Sequence, residues 1–421
     1  MSKSILIIYP HWPPSNLAGM HRARLVANGA SDLGWKVTVI AVDPAFYEEE
    51  PDEEMLQLIR PSIQTIHVSA RKVTKIAGRR LIGDIGLRGY GSLQKAAETW
   101  LRQNTADFIW IPIPSWYTSL MGARLAEKFN TPFGIDYIDP WVYQLTKHEK
   151  TFSRAWWTRQ LALFLEPHAI RKASIISGVS EAYFTPALER VFSKKKKPLT
   201  VSMPYGFDPT DHQVEPIHPR FPFDPNESRY ILYAGAFLPH SESFARVLFT
   251  ALKQLEDEGH WPKDLTFQFV GTGHRMGPSI DDLASECGVA HIVHLHPQRI
   301  PFLSVQSLLR QSFGSLILGS TEAHYTASKT FQCLVAQKPI LSILHEHSSA
   351  LEFLQKANAT QYSTSWNNVK PAKFQSIVYH ALQSFVKSHE DWSPNLSALD
   401  QHSIRVSTAS LLNRIHELKQ R

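Results

Sequence analysis

The chain has 421 residues, 43% hydrophobic and 19% charged, which is ordinary for a soluble globular protein and long for a single core. Two cysteines, Cys287 and Cys333, exclude a disulfide framework and fit a reducing, cytoplasmic setting. The net charge of +6 is gathered in runs at 70–80, 146–160 and 194–197, and no window of roughly twenty apolar residues would cross a membrane.

From the N-terminus, "SILIIY" (4–9) reads as a buried strand, too short in its apolar part for a signal peptide. A Pro/Gly loop follows, then a helix over 20–34 ending at Gly34, then the strand "WKVTVIAV" (35–42). Strands at 107–113, 132–138 and 173–180 alternate with helices at 118–129 and 153–172. Strands alternating with helices predict parallel βαβ units and a doubly wound sheet.

The stretch 206–229 holds five prolines and little periodicity, so it reads as a linker. The α/β pattern then restarts: strands at 230–237, 265–273, 291–297 and 314–320, helices at 242–259, 279–288 and 305–312. A short helix and a buried strand follow in "ASKTFQCLVAQKPILSI" (327–343), and a last helix lies near 397–420. The expected division is an N-terminal domain 1–205, the linker 206–229, a C-terminal domain 230–395, and a helix 396–421 packing back on the first domain. Ligands of doubly wound sheets bind at the carboxyl ends of the strands, and two such sheets place the expected site in a cleft between domains.

In the second half, three loops sit at strand carboxyl ends: "AGAF" (234–237), "GTGH" (271–274) and "STEAHYTASK" (320–329). Gly235, Gly271 and Gly273 allow backbone to approach a ligand closely, with Phe237 beside them. A helix beginning near 327–328 would offer free N–H groups and a positive dipole end to an anion. Lys329 adds a full charge there, a placement unfavourable to the dipole unless an anion offsets it; the plainer reading is a lysine pointing to solvent. Gln332, three residues on, shares the face of Lys329 and could hold a ribose hydroxyl or simply face water.

In the first half, Asp136 and Asp139 close the strand in "GIDYIDPW"; carboxylates there could orient an acceptor hydroxyl or take its proton. Asp139 ahead of Pro140 equally fits loop capping. Trp116 and Trp141 fit either sugar stacking or core packing. His291, His294 and His296 lack an acid or cysteine to complete a metal set, so no metal is expected. The basic and aromatic run 146–160, with Trp156 and Trp157, fits either a patch on the inner face of a membrane or, with the apolar run after it, a buried helix. No stacking motif or helix-turn-helix pattern supports nucleic-acid binding.

The ordered motifs resemble a GT-B glycosyltransferase, closest to the retaining family-4-like group. The matching segments are "PPSNLAGMHRARLVANGASDLGWKVTVIA", "GIDYIDPW", "ISGVSEAYFTPAL", "PYGFD", "ILYAGAF", "FVGTG" and "ASKTFQCLVAQKPIL", and the resemblance covers nearly the whole chain, from about 4 to 420. The resemblance implies two Rossmann-like domains and transfer of a sugar from a nucleotide-diphosphate sugar, bound as substrate without a separate cofactor or metal. The implied acceptor is a glycan or a lipid-linked molecule, and closure of the domains would exclude water. It implies that Lys329 contacts the donor diphosphate. The glutamate that contacts ribose in the family is Gln332 here, and the acid that touches the transferred sugar falls at His324, with Glu322 nearby. The cation expected after "ILYAGAF" is missing; Arg22, after Gly19, or Arg299 could supply it, while Arg246 lies far along its helix. These departures also fit a non-catalytic GT-B subunit that binds or scaffolds a glycan-assembly complex.

Overall fold

The computed structural model describes residues 3–76, 79–80, 82–143, 150–192, 197–237, 239–273, 277–321, 329–387, 392–418 and 420. Glu322, His324, His274 and parts of the basic runs lie outside them. The chain divides into two compact units, Met1–Asp208 with His402–Arg421, and Pro209–Gln401.

The N-terminal unit is built on the strands β1 (Ser4–Ile8), β2 (Lys36–Val42), β3 (Gln64–Val68), the short pair β4 (Lys75–Ile76) and β5 (Arg79–Arg80), then β6 (Phe108–Ile113), β7 (Phe133–Tyr137), β8 (Ile175–Gly178) and β9 (Leu199–Ser202). Seven of them form one parallel sheet in the order β3-β2-β1-β6-β7-β8-β9. Its helices are α1 (Ala18–Asp32), α2 (Ile85–Arg88), α3 (Tyr90–Gln103), α4 (Leu120–Phe129), α5 (Arg154–Ile170) and α6 (Glu181–Phe192). Ile5–Ile8 and all of β6 are buried, so these strands read as continuous apolar runs rather than alternating ones, as expected when helices cover both faces.

α1 stops where the sequence predicts. Gly34 adopts φ +81°, its N–H donates to Ser31 O, and the Trp35 N–H reaches back to Ala30 O. That doubled closure satisfies carbonyls the helix end would leave bare, and glycine takes the left-handed turn without a Cβ clash.

The C-terminal unit repeats the plan with β10 (Arg229–Ala234), β11 (Leu265–Val270), β12 (Val293–His296), β13 (Gly314–Leu318), β14 (Ile340–His345) and β15 (Tyr362–Trp366). They form a parallel sheet in the order β12-β11-β10-β13-β14-β15. Its helices are α7 (Glu242–Asp257), α8 (Ile280–Glu286), α9 (Phe302–Gln311), α10 (Lys329–Val335), α11 (Ser349–Lys356) and α12 (Pro371–Lys387). α7 buries Phe244, Leu248, Phe249, Leu252 and Leu255, a helical stripe packed against α12 and the sheet. Each such side chain contributes about 1.5–3 kcal/mol of burial.

The last helix, α13 (Ile404–Leu418), belongs to the N-terminal unit and lies on α1. It starts later than the sequence pattern suggests, because 396–402 forms a 3-10 segment. Gly29 of α1 is what permits the approach: a Cβ there would fall 2.5 Å from Thr408 Oγ1 and 3.1 Å from Ile404 O.

In both sheets the strand order runs outward from the first strand and then reverses. The switch falls between β1 and β6 in one unit, and between β10 and β13 in the other. Loops on the two sides of such a point part at the carboxyl edge and leave a crevice for ligands.

Candidate functional site

The crevice of the C-terminal unit is assembled from loops that follow β10, β11, β12 and β13. Gly235 leaves β10 at φ +116°, and Gly271 and Gly273 leave β11 at φ +71° and +72°. These conformations suit glycine. The Gly235 N–H donates to Val270 O at 2.9 Å, the Phe237 N–H to Thr272 O at 3.2 Å, and the Gly273 N–H to Pro297 O at 3.0 Å. A Cβ on Gly271 would stand 3.9 Å from Arg299 Cα and 4.0 Å from Gly235 N, so three of the loops meet at this glycine. Across the switch point, the Thr321 N–H donates to His240 O.

Lys329 opens α10 and reaches into this crevice. Its Nζ lies 3.4 Å from the Tyr233 ring centroid and would be 3.9 Å from a Cβ on Gly235. The nitrogen is buried and, among the described residues, has no hydrogen-bond partner. Burial lowers its pKa to about 7; the neighbouring Cys333, one turn along, acts in the opposite sense. Cys333 itself is pushed up to about 11 by burial. The π face of Tyr233 offers the cation partial compensation. α10 is seven residues long, so the charge of Lys329 rather than the helix end is the strong feature here.

Gln332 lies one turn from Lys329 and is held from behind. Its Oε1 accepts from His212 Nε2 at 2.7 Å and from Gln306 Nε2 at 2.7 Å. His212 is mostly buried, and desolvation brings its pKa down to about 4; the bond to Gln332 opposes this and Arg310 reinforces it. Arg310 in turn donates to the His212 carbonyl at 3.1 Å. A neutral amide facing a neutral imidazole is a consistent pairing, and the sequence alone gave no sign of His212 or Gln306.

The remaining expected donor residues fall differently. Phe237 is 3% exposed and belongs to the hydrophobic core. Arg299 follows β12 beside Gly271. Arg246 pairs with Glu286 on α8, away from the loops. Of the three histidines near β12, His291 pairs with Glu256 and His296 contacts Gln268 Oε1 at 2.8 Å. Among the described residues no group of three metal-ligating side chains gathers.

In the N-terminal unit, Arg22 and Asp136 are each other's partner. Arg22 donates through Nε and Nη2 to the two carboxylate oxygens at 2.9 and 3.0 Å, and through Nη1 to Met203 O at 2.6 Å. Ser177 Oγ also donates to Asp136, at 2.6 Å. Arg22 is 2% exposed and Asp136 not at all. A carboxylate so engaged is a tie between α1 and the sheet, not a base open to an acceptor, and Arg22 has no charge to spare for a phosphate. Gly19 gives room to Tyr9, since a Cβ there would overlap the Tyr9 hydroxyl.

The carboxyl edge of that sheet carries an aromatic and acidic rim. Trp116 and Trp141 stack with centroids 5.9 Å apart and planes at 12°; Trp141 is buried in the hydrophobic core and Trp116 is half-buried against it. Asp139 has an exposed side chain, but protein crowding its carboxylate partly desolvates it and raises its pKa. Burial first, and this carboxylate second, raises the pKa of both Tyr205 and Tyr183. Ser115 Oγ donates to Asp84 Oδ1 at 2.9 Å.

No protein-family model and no curated protein sequence matches the chain. Solved structures do. A sucrose-phosphate synthase from Thermosynechococcus elongatus superposes with a TM-score of 0.61 at 14% identity, covering 99% of both chains. The trehalose-6-phosphate synthase OtsA gives 0.60 at 11% identity, with 99% of each chain covered. HepE of Anabaena, solved with UDP and glucose, gives 0.59 at 13% identity over 99% of this chain and 100% of its own. Likeness at this level speaks for architecture, and it runs end to end: two parallel α/β sheets, each switching direction at its first strand. The chain has the GT-B glycosyltransferase fold.

Proposed function

We propose that the protein is a retaining glycosyltransferase that moves a sugar from a nucleotide-diphosphate sugar to a glycan or lipid-linked acceptor. One observation carries the reading: a buried ammonium, Lys329, without a hydrogen-bond partner among the described residues, at the switch point of the C-terminal sheet. An unpaired buried cation is costly, and a diphosphate supplies the charge that relieves it. In this reading Lys329 binds the diphosphate and stabilises the charge that grows on it as the glycosidic bond breaks. Gly235, Gly271 and Gly273 let the backbone approach the donor, and Gln332, anchored by His212 and Gln306, faces the ribose. Arg299 borders the same loops.

The acceptor role falls to the N-terminal rim, where the half-buried Trp116, backed by the core residue Trp141, offers an apolar face to a sugar ring and Asp139 a carboxylate to a hydroxyl. A donor-panel thermal-shift screen with UDP- and GDP-sugars, followed by donor-hydrolysis and transfer assays, tests the proposal. Stabilisation by one donor together with turnover that Lys329→Ala abolishes supports it. Turnover unchanged in Lys329→Ala overturns the assigned role.

A second reading, a non-catalytic GT-B subunit, is favoured by Gln332, which offers ribose an uncharged amide whose oxygen is already taken. Donor binding without turnover across donors and acceptors would select it.

A further inference from the structure

The clearest surface feature outside the candidate site is on α5. Trp157 is 57% exposed, Leu161 44% and Phe164 65%, and Phe152 just ahead of the helix is 69% exposed. Arg154, Trp157, Leu161, Phe164, His168 and Arg171 are all exposed, and at 3.6 residues per turn they fall within an arc of about 100°. The opposite side buries Ala162, Glu166, Ala169 and Ile170 against the unit's core, with α4 and α6 on either flank. The exposed stripe is therefore apolar in its middle and basic at both ends.

Charge decides what covers it. Residues 150–172 contain Lys150, Arg154, Arg159, Arg171 and Lys172, and a single acid, Glu166, which is buried. Arg159 is turned to the Tyr143 carbonyl and Lys172 to Glu127, which leaves Lys150, Arg154 and Arg171 on the stripe's borders. A second copy of the chain is a poor cover: two-fold pairing of the helix with itself would set Arg154 against Arg171. An anionic lipid surface matches both parts of the pattern. Its headgroup phosphates meet the terminal arginines while the acyl boundary takes up Trp157, Leu161 and Phe164.

We propose that α5 is a membrane-surface helix, lying flat on an anionic bilayer through Phe152, Trp157, Leu161 and Phe164 with Arg154 and Arg171 on the headgroups. The proposal is independent of the sugar-transfer reading, since it needs no donor. No helix among the described residues is long and apolar enough to span a bilayer, so the contact is interfacial.

Vesicle co-sedimentation of the full chain tests it, comparing phosphatidylcholine vesicles with vesicles in which roughly a third of the lipid is phosphatidylglycerol. The expected result is binding to the anionic vesicles that weakens with salt. It should fall about ten-fold or more in Trp157→Ser/Phe164→Ser, and roughly five-fold for each of Arg154→Gln and Arg171→Gln. Arg405→Gln, exposed on α13, should bind like the parent. All these positions are exposed, so melting temperatures should stay unchanged. Three results would overturn the proposal: no binding to anionic vesicles at low salt, variants that bind as the parent does, or a solution dimer that Phe164→Ser dissolves.

Discussion

Lys329 stands with its ammonium nitrogen 3.4 Å from the centroid of the Tyr233 ring and, among the described residues, without a hydrogen-bond partner. Both residues come from the switch point of one sheet, Tyr233 from β10 and Lys329 from the helix after β13. The pair holds the lysine nitrogen buried against an aromatic face.

The first prediction concerns stability. The folded-state pKa of Lys329 is lowered from 10.5 to about 7. Between those values the unfolded chain keeps a proton that the folded chain has released. Stability of the ligand-free protein should therefore rise with pH across that window and be flat and lowest below it. Lys329→Met should remove this rise and stabilise the free protein at pH 7 by on the order of a few kcal/mol. Denaturant titrations of both proteins at several pH values measure it.

Donor affinity should carry the opposite dependence. The diphosphate favours the protonated lysine, so binding takes up a proton wherever the free amine is neutral. Affinity should be level below pH of about 7 and weaken above it, by up to ten-fold per unit, until the bound-state pKa is reached. Calorimetry with a nucleotide sugar in buffers of different ionisation enthalpy counts the protons, and the Lys329→Met protein should show no such slope.

Gln332→Glu should restore a charged acceptor for ribose. Nucleotide affinity should rise by about 1–2 kcal/mol, the gap between charged and neutral hydrogen bonds. The new carboxylate would lie against His212 Nε2 and lift that imidazole from its value of about 4. An NMR titration of the His212 ring reads the second effect even if no nucleotide binds.

In the N-terminal unit, Gly29→Ala should loosen α13. The added methyl meets Thr408 Oγ1 at 2.5 Å and the Ile404 carbonyl at 3.1 Å. A cost of about 1–3 kcal/mol is expected from such overpacking, seen as a lower melting temperature and faster amide exchange along Ile404–Leu418.

Much of the architecture was legible in the sequence because α/β alternation is a local pattern. "SILIIY" and "DFIWIPI" announce buried strands, and Gly34 announces a helix end. Pairings between distant residues were not legible. Arg22 and Asp136 are 114 residues apart, and His212 and Gln332 are 120 apart. Periodicity reports which face of an element is apolar, not which side chain stands across from it. Both members of the first pair thus looked available for chemistry when each satisfies the other. Tyr233 was missed for the same reason: in "YILYAGAF" it reads as one more core aromatic, and only the fold sets Lys329 over its ring. α5 posed a different difficulty. It is apolar on both faces, so its sequence could not say whether Trp157 and Phe164 turn inward, and the structure turns them out.

The most direct measurement is calorimetric titration of the protein and of Lys329→Met with a panel of UDP-, GDP- and ADP-sugars at neutral pH. The account predicts that at least one donor binds the parent and that the substitution weakens it by about a hundred-fold or more, the loss expected for a charge-assisted contact to a buried cation. Equal affinity in the two proteins, or no binding by any of the donors, would contradict it.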